Sequence, residues 1–415
     1  MGAGRRDLDI VLYGATGFMG RLVADYLAKS PAGLQIGLAG RSSARLAAVR
    51  RSLGAAAERW PVIVAEVTDR PALQEMAARA RVVISTVGPY GRCGLPIVEA
   101  CATAGTDYTD LAGEIPFVRA SIERYHRLAA DNGARIVHSC GFDSIPSDLN
   151  VFALHRRTFA DAAGELGDTT FVLRTYSGGC SAGSLQTMLD LMRTGAENPA
   201  LRAVLDDPYS LSPDRGAEPE LGPQPDVEVR AGSEIAPELT GLWTGGYLMA
   251  LYNTRCVRRS NALLNWGYGR RLRYTETLSM GSTVAAPMFA TLSGLTITGA
   301  ARLGGTYLRL LPPGLLETML PAGAGFDQGD RGYYKVETYT TTTRGQRYVA
   351  TMSQQGDPGY SATATLIGVS ALTLARGRDR LATQHGVLTP AAAMGDALLE
   401  LLPTAGVALH TARLG

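Results

Sequence analysis

The sequence predicts an α/β protein: a Rossmann-like doubly wound parallel sheet, then a second α+β domain on a mixed or antiparallel sheet. Three observations predict it. Apolar runs and helical segments alternate from residue 9 to residue 142. The first run, 9–13, leads directly into Gly14, Ala15, Thr16, Gly17, Phe18, Met19 and Gly20. Beyond residue 169 strands and helices continue without strict alternation.

Each element has its own signal. The helix over 21–29 sets Leu22, Val23, Tyr26 and Leu27 on one face. A second strand over 34–39 ends at Gly40, Arg41, Ser42 and Ser43. A strand over 60–67 and a helix over 69–80 follow. The run Arg81 to Val87 is apolar and β-branched, as a strand buried on both faces should be. Then come a helix over 94–104, a strand over 108–111, a helix over 116–132, a strand over 134–139 and a helix over 143–160. Past these lies a strand over 169–176. Residues 206–241 carry six prolines and nine acidic residues, which predicts a long excursion outside the core. Strands over 333–343 and 346–353 flank the turn signal Thr343, Arg344, Gly345. Helices over 360–376 and 390–402 and a strand over 405–411 complete the chain.

Length and composition limit the functions open to it. At 415 residues the chain is too long for one small core. We expect a nucleotide-binding domain over 1–150, completed by 380–415, and an α+β substrate or dimerisation domain over 151–380. A net charge of +2 gives no global field for nucleic acid. The five cysteines are scattered and odd in number, which suits reduced thiols in a cytoplasm. The five histidines show no metal-ligand spacing.

The strand, glycines and helix together predict a dinucleotide site. The first glycine permits the tight turn, the second lets backbone approach the diphosphate, and the third lets helix pack on strand. An acid at the end of the second strand would select a ribose 2′-hydroxyl. This chain offers Arg41 and Ser42 there, which suits a 2′-phosphate and therefore NADPH. The loop holding Val87, Gly88 and Pro89 should lie along the same cofactor, since ligands bind beyond the carboxyl ends of strands.

Several motifs resemble the saccharopine dehydrogenase-like oxidoreductases. They are the 14–20 glycine segment, Ala39 to Arg41, Thr86 to Tyr90, Asp107 to Glu114, Cys140 to Asp148 and Gly386 to Pro390. Within that group the chain is similar to the mycobacterial trans-acting enoyl reductases of phthiocerol-type lipid synthesis. The stretches that carry this are Arg215 to Gly222, Trp243 to Gly246, Arg258 to Leu263 and Leu388 to Leu398. The resemblance implies an NADPH-dependent reductase of α,β-unsaturated acyl thioesters. It implies as partner an acyl-carrier domain of a polyketide synthase that lacks its own enoyl reductase. An imine or amino-acid oxidoreductase of the saccharopine type is the first alternative. A non-catalytic, cofactor-binding, lipid-associated protein is the second.

Reduction of a conjugated thioester needs a donor for the developing enolate and an acid for the α-carbon. Tyr90 is the candidate donor, and a packed loop aromatic is its plainer role. Asp143 is the second catalytic candidate; it or Ser144 can equally cap the following helix. Asp110 and Glu114 form a third candidate pair, whose plainer role is solvated charge. Between Glu276 and Arg302 lie 25 uncharged residues, interrupted by Pro287 and several glycines. We expect a buried helix or the lining of an acyl-chain groove there, with peripheral membrane contact and a homodimer left open. Arg255, Arg258, Arg259, Arg270, Arg271 and Arg273 crowd residues 255–273; they are either a docking patch for an acidic carrier or ordinary solvated charge.

Overall fold

The computed structural model describes residues 6–30, 33–178, 191, 194–195, 197–303 and 332–415. Two compact units are present. The first comprises 1–112, 116–145 and 360–405, and the second 113–115, 146–359 and 406–415. The sequence expectation divided the chain at 150 and 380 instead.

The first unit is built on a seven-stranded sheet in the order β13-β6-β5-β4-β1-β2-β3. Its strands are β1 (Leu8–Tyr13), β2 (Ile36–Gly40), β3 (Val62–Val64), β4 (Ala80–Ser85), β5 (Asp107–Thr109), β6 (Arg135–Val137) and β13 (Gly386–Leu388). Every pairing is parallel. Ile10 lies opposite Ile36 on one side and Val82 on the other. Both faces are covered by helices, so the central strands are apolar without alternation. Ile10, Val11, Leu12, Val82, Val83 and Ile84 have no solvent exposure. The helices up to the sixth strand are α1 (Phe18–Lys29), α2 (Ser43–Ser52), α3 (Arg70–Arg79), α4 (Tyr90–Ala104) and α5 (Ile115–Asp131), and α6 (Ile145–Ala160) follows. The helix Ser361–Arg376 also belongs to the first unit and is buried along nearly its whole length. It approaches α1 closely because Gly368 has no side chain: a Cβ there would lie 2.2 Å from the Tyr26 ring.

The second unit carries a mixed sheet in the order β14-β12-β11-β7-β10-β9-β8. Its strands are β7 (Leu166–Ser177), β8 (Arg230–Ala231), β9 (Trp243–Gly246), β10 (Arg273–Gly281), β11 (Tyr333–Thr342), β12 (Arg347–Gln355) and β14 (Val407–Leu414). Only β7 and β10 pair in parallel; the other neighbours are antiparallel. The expected hairpin forms between β11 and β12, with Gly345 in the left-handed region at φ +75°. The terminal strand pairs with β12, so residues 407–414 complete the second sheet, whereas 386–388 extend the first.

Residues 206–241 differ from expectation. The segment has little regular structure, yet Leu211 and Leu239 are buried core residues. Arginines from the helix Ala250–Leu263, the turn after it and the start of β10 hold this segment and the residue before it. Arg255 donates to the Leu205 carbonyl at 2.5 Å, Arg258 to Pro208 at 3.3 Å and Arg259 to Leu211 at 2.5 Å. Farther on, Arg270 donates to Ala217 at 2.8 Å, and Arg273 donates to Leu221 and to Pro223. The donors and acceptors run in the same chain order. Guanidinium groups thus replace the backbone ladder that a proline-rich segment cannot make.

Candidate functional site

The chain reverses its direction of growth across the first sheet between β1 and β4, because β2 and β3 lie on one side of β1 and β4, β5 and β6 on the other. Ligands of open α/β sheets bind outside the carboxyl ends of strands at such a switch point. The glycine turn follows β1 and the Thr86–Pro89 loop follows β4, so both border it. The Thr86 N–H donates to the Tyr13 carbonyl at 3.0 Å, and its hydroxyl lies 3.3 Å from the Gly14 carbonyl.

At Gly14 and Gly20 the turn has no room for a side chain. Gly14 has φ +92°, and a Cβ there would meet Thr86 Oγ1 and Val87 Cγ2 at 2.7 Å. A Cβ on Gly20 would fall 2.1 Å from the Gly14 carbonyl oxygen. Gly17 caps α1 without any side-chain hydrogen bond, and the first turn of α1 contains no acid. Its leading N–H groups and positive dipole end therefore suit an anion. Ala15 is buried beneath the turn, Thr16 and Met19 are half-buried, and Phe18 is exposed with its ring edge-on to Tyr360 at 4.9 Å. Val87 is half-buried, whereas Gly88 and Pro89 are exposed. A diphosphate fits this cradle by shape and by charge.

At the end of β2, Arg41 is exposed. Burial, with Cys93 and Glu66 nearby, pushes the Tyr13 hydroxyl up to about 12, while the Arg41 guanidinium pulls the other way. Ser42 caps α2: its hydroxyl oxygen accepts from the Arg45 N–H at 3.4 Å.

Tyr90 opens α4 as a buried ring packed on Phe117. Its O–H donates to the Ser85 carbonyl at 3.0 Å and accepts from the Leu111 N–H at 3.2 Å. The proton expected to serve an enolate is thus engaged in holding the ends of β4 and β5 together. Asp143 sits half-buried in the turn before α6. That turn is fixed at both sides: Phe142 N–H donates to Thr363 Oγ1 at 3.1 Å, and Ile145 N–H returns to the Gly141 carbonyl at 2.9 Å.

Asp110 is a buried hub rather than a solvated carboxylate. Its Oδ2 contacts His138 Nδ1 at 2.7 Å and accepts from Tyr108 at 3.0 Å. Its Oδ1 accepts from the N–H groups of Ala112 and Ser139, each at 3.0 Å. His138 Nε2 meets Ser121 Oγ at 2.9 Å. This Ser–His–Asp chain resembles a nucleophilic triad in connectivity, but all three side chains are sealed from solvent. It ties β5, β6 and α5 together.

The arginine cluster also departs from the docking-patch expectation. Arg255, Arg258 and Arg259 are only 3%, 4% and 2% exposed and serve as internal struts. Burial pulls the Arg258 and Arg259 guanidinium groups down to about 10. Arg270, Arg271 and Arg273 remain exposed. Sequence reasoning missed Glu276, which is fully buried on β10. It accepts from Tyr274 at 2.7 Å and Asn253 at 3.0 Å, and burial pushes its carboxyl up to about 7. A lone acid between two β-branched threonines, Thr275 and Thr277, was its only signal.

Cys93, Cys101, Cys140 and Cys256 are free thiols; Cys180 lies outside the described residues. Among the described residues no cluster of His, Cys, Asp and Glu could hold a metal ion. No described helix is long and apolar enough to cross a membrane. The uncharged stretch instead divides into the end of β10 and the helix Ala286–Leu303, with Pro287 in the helix's first turn.

Comparison with known proteins adds the following. The saccharopine dehydrogenase NADP binding domain family matches residues 10–137. The chain is 57% identical, over all of both chains, to a Mycobacterium tuberculosis protein provisionally named a trans-acting enoyl reductase. It is 54% identical over all of both chains to the trans-acting enoyl reductase of the same species, and 52% to that of Mycobacterium ulcerans. Among solved structures, apo saccharopine dehydrogenase (L-Glu forming) from Saccharomyces cerevisiae aligns over 98% of this chain and all of its own, with a TM-score of 0.55 at 15% identity. That likeness carries the fold: a parallel Rossmann-like sheet with a second mixed sheet, as the sequence predicted.

Proposed function

Because this chain belongs to the trans-acting enoyl reductases of the saccharopine dehydrogenase-like group, we propose that it reduces the α,β double bond of acyl thioesters with NADPH, in trans to a polyketide synthase. The observation that carries the reading is the anion cradle at the switch point of a sheet whose family is NADP-binding. When bound, NADPH supplies the hydride that a conjugated thioester accepts at its β-carbon.

This chain's residues supply the rest. The N-terminus of α1 with Gly14, Ala15, Thr16, Gly17, Phe18, Met19 and Gly20 holds the diphosphate. Arg41 takes the 2′-phosphate, with Ser42 beside it. Val87, Gly88 and Pro89 lie along the cofactor. Tyr90 is a positioning residue in this scheme: its two hydrogen bonds fix the base of the 86–89 loop. Asp143 is assigned to proton handling at the α-carbon, since it is the carboxyl in a turn that Thr363 anchors.

The imine and non-catalytic alternatives have no comparable support. The test is NADPH consumption with an enoyl-pantetheine thioester, compared with keto acid plus amine. Turnover with the enoyl thioester alone is expected. Turnover only with the imine-forming pair would transfer the protein to the saccharopine-type chemistry.

A further inference from the structure

The second unit holds a cavity of about 280 Å3, near the low end for small-molecule sites. All of its lining residues belong to that unit. Leu205, Val227, Leu251 and Ala301 give it apolar walls. Its charges are nearly balanced. Arg202 pairs with Asp206 at 2.7 Å, and Arg255 pairs with Asp226 at 2.8 Å. Arg302 is exposed and supplies the surplus positive charge.

The helix Ala286–Leu303 leads into this cavity. Its residues 288, 291, 295, 298 and 302 are spaced alternately by three and four, so they share one face. Met288 and Leu295 on that face are each 61% exposed. Thr298 and Arg302 on the same face line the cavity. The opposite face is already buried through Ala286, Ala290, Ser293, Ile297 and Ala300. An exposed helix face normally carries charge; this one carries none until Arg302.

We propose that the cavity and the Met288–Leu295 face together seat the hydrocarbon chain of an acyl thioester, with Arg302 attracting the phosphate of its carrier arm. The proposal rests on the reductase reading for the identity of the ligand. It adds where the chain lies and what sets chain-length preference. The two charge pairs keep the walls neutral, so an apolar chain enters without stranding an ion. Among the described lining residues Arg302 is the one unbalanced guanidinium, and it stands where an anionic head can stay solvated.

The test is binding without turnover. Saturated acyl-CoA thioesters of increasing chain length are titrated into wild type, Thr298→Trp, Leu295→Asp and Arg302→Ala. NADPH titration of the same samples checks that the first unit is intact. Wild-type affinity is expected to rise by about fourfold per buried methylene until the seat is full. Thr298→Trp, which narrows the cavity, should flatten that rise, and Leu295→Asp should weaken long chains more than short ones. Arg302→Ala should weaken every length by the same factor, roughly twofold to fivefold. Affinity independent of chain length in wild type would overturn the proposal. So would Leu295→Asp changing only the oligomeric state, because the face would then serve a second copy of the chain. Loss of the reductase reading shows up separately, as absent turnover with enoyl thioesters while the chain-length series persists.

Discussion

Gly17→Ala separates cofactor binding from folding better than any other change in the glycine turn. The backbone at Gly17 has φ −73° and ψ 167°, which any residue adopts. An added Cβ would sit 3.4 Å from the Gly14 carbonyl oxygen, with no other atom near it. The fold should therefore tolerate alanine, and the thermal midpoint should hardly move. A diphosphate on the N-terminus of α1, however, needs that methyl's space. Losing one charge-assisted N–H contact costs about 1.5–3 kcal/mol, or roughly tenfold to a hundredfold in the NADPH dissociation constant. Gly20→Ala is the contrasting control. Its Cβ would meet the Gly14 carbonyl oxygen at 2.1 Å and carbonyl carbon at 2.8 Å. Both are backbone atoms, so α1 must move off β1, at a cost of about 1–3 kcal/mol in stability. Calorimetric titration with NADPH, beside thermal unfolding, reads both effects. An unchanged dissociation constant in folded Gly17→Ala would refute the placement of the diphosphate.

Three further changes probe other parts of the structure. Arg41→Ala should weaken NADPH by roughly tenfold to a hundredfold and leave NADH binding unchanged; equal losses for both would remove Arg41 from the 2′-phosphate. Tyr90→Phe should lower stability by about 1–3 kcal/mol, because the Ser85 carbonyl and the Leu111 N–H each lose a partner. Its kcat should fall less than tenfold; a loss of roughly a hundredfold or more would restore the hydroxyl as an enolate donor. Glu276 has a folded pKa raised to about 7 from an ordinary 4.5, so its neutral form is the one the fold prefers. Its contribution is complete below about pH 4.5 and is lost as pH rises through about 7. Glu276→Gln should match wild type near pH 4 and gain on it progressively between about pH 4.5 and 7, levelling off above neutrality at no more than about 3 kcal/mol, in denaturant unfolding. A difference that does not vary with pH would contradict this.

The first unit was legible because its signals are local. The two central parallel strands carry short apolar runs at 10–13 and 82–84, and the glycine turn declares itself within seven residues. The hairpin of β11 and β12 was legible for the same reason. The second unit hid its logic in distant pairs. The helix Ala250–Leu263 is rich in arginine and asparagine, which reads as surface. Its guanidinium groups are buried where carbonyls about 50 residues earlier in the chain, together with Asp226 and the Tyr274 carbonyl, come to meet them. Neither partner is visible from the other's sequence. Asp110 misled in the same manner, since nothing nearby announces His138 and Ser121. Tyr90 was read as an enolate donor or a packed loop aromatic; it opens α4, and its hydrogen bonds to Ser85 and Leu111 depend on the end of β5, which nothing near it in the sequence announces. The uncharged run before Arg302 was read as helix or groove lining; its first residues instead continue β10, where Thr277 and Ser279 alternate with Leu278 and Met280, a strand signal too short to stand out from the uncharged run around it.

The most direct test of the account uses NADPH carrying deuterium at the transferable C4 position, an enoyl-pantetheine thioester, and mass spectrometry of the product. One deuterium at the β-carbon of a saturated thioester is the predicted result. A product without the label, or a label found only on an amine-bearing carbon from a competing imine, would contradict it.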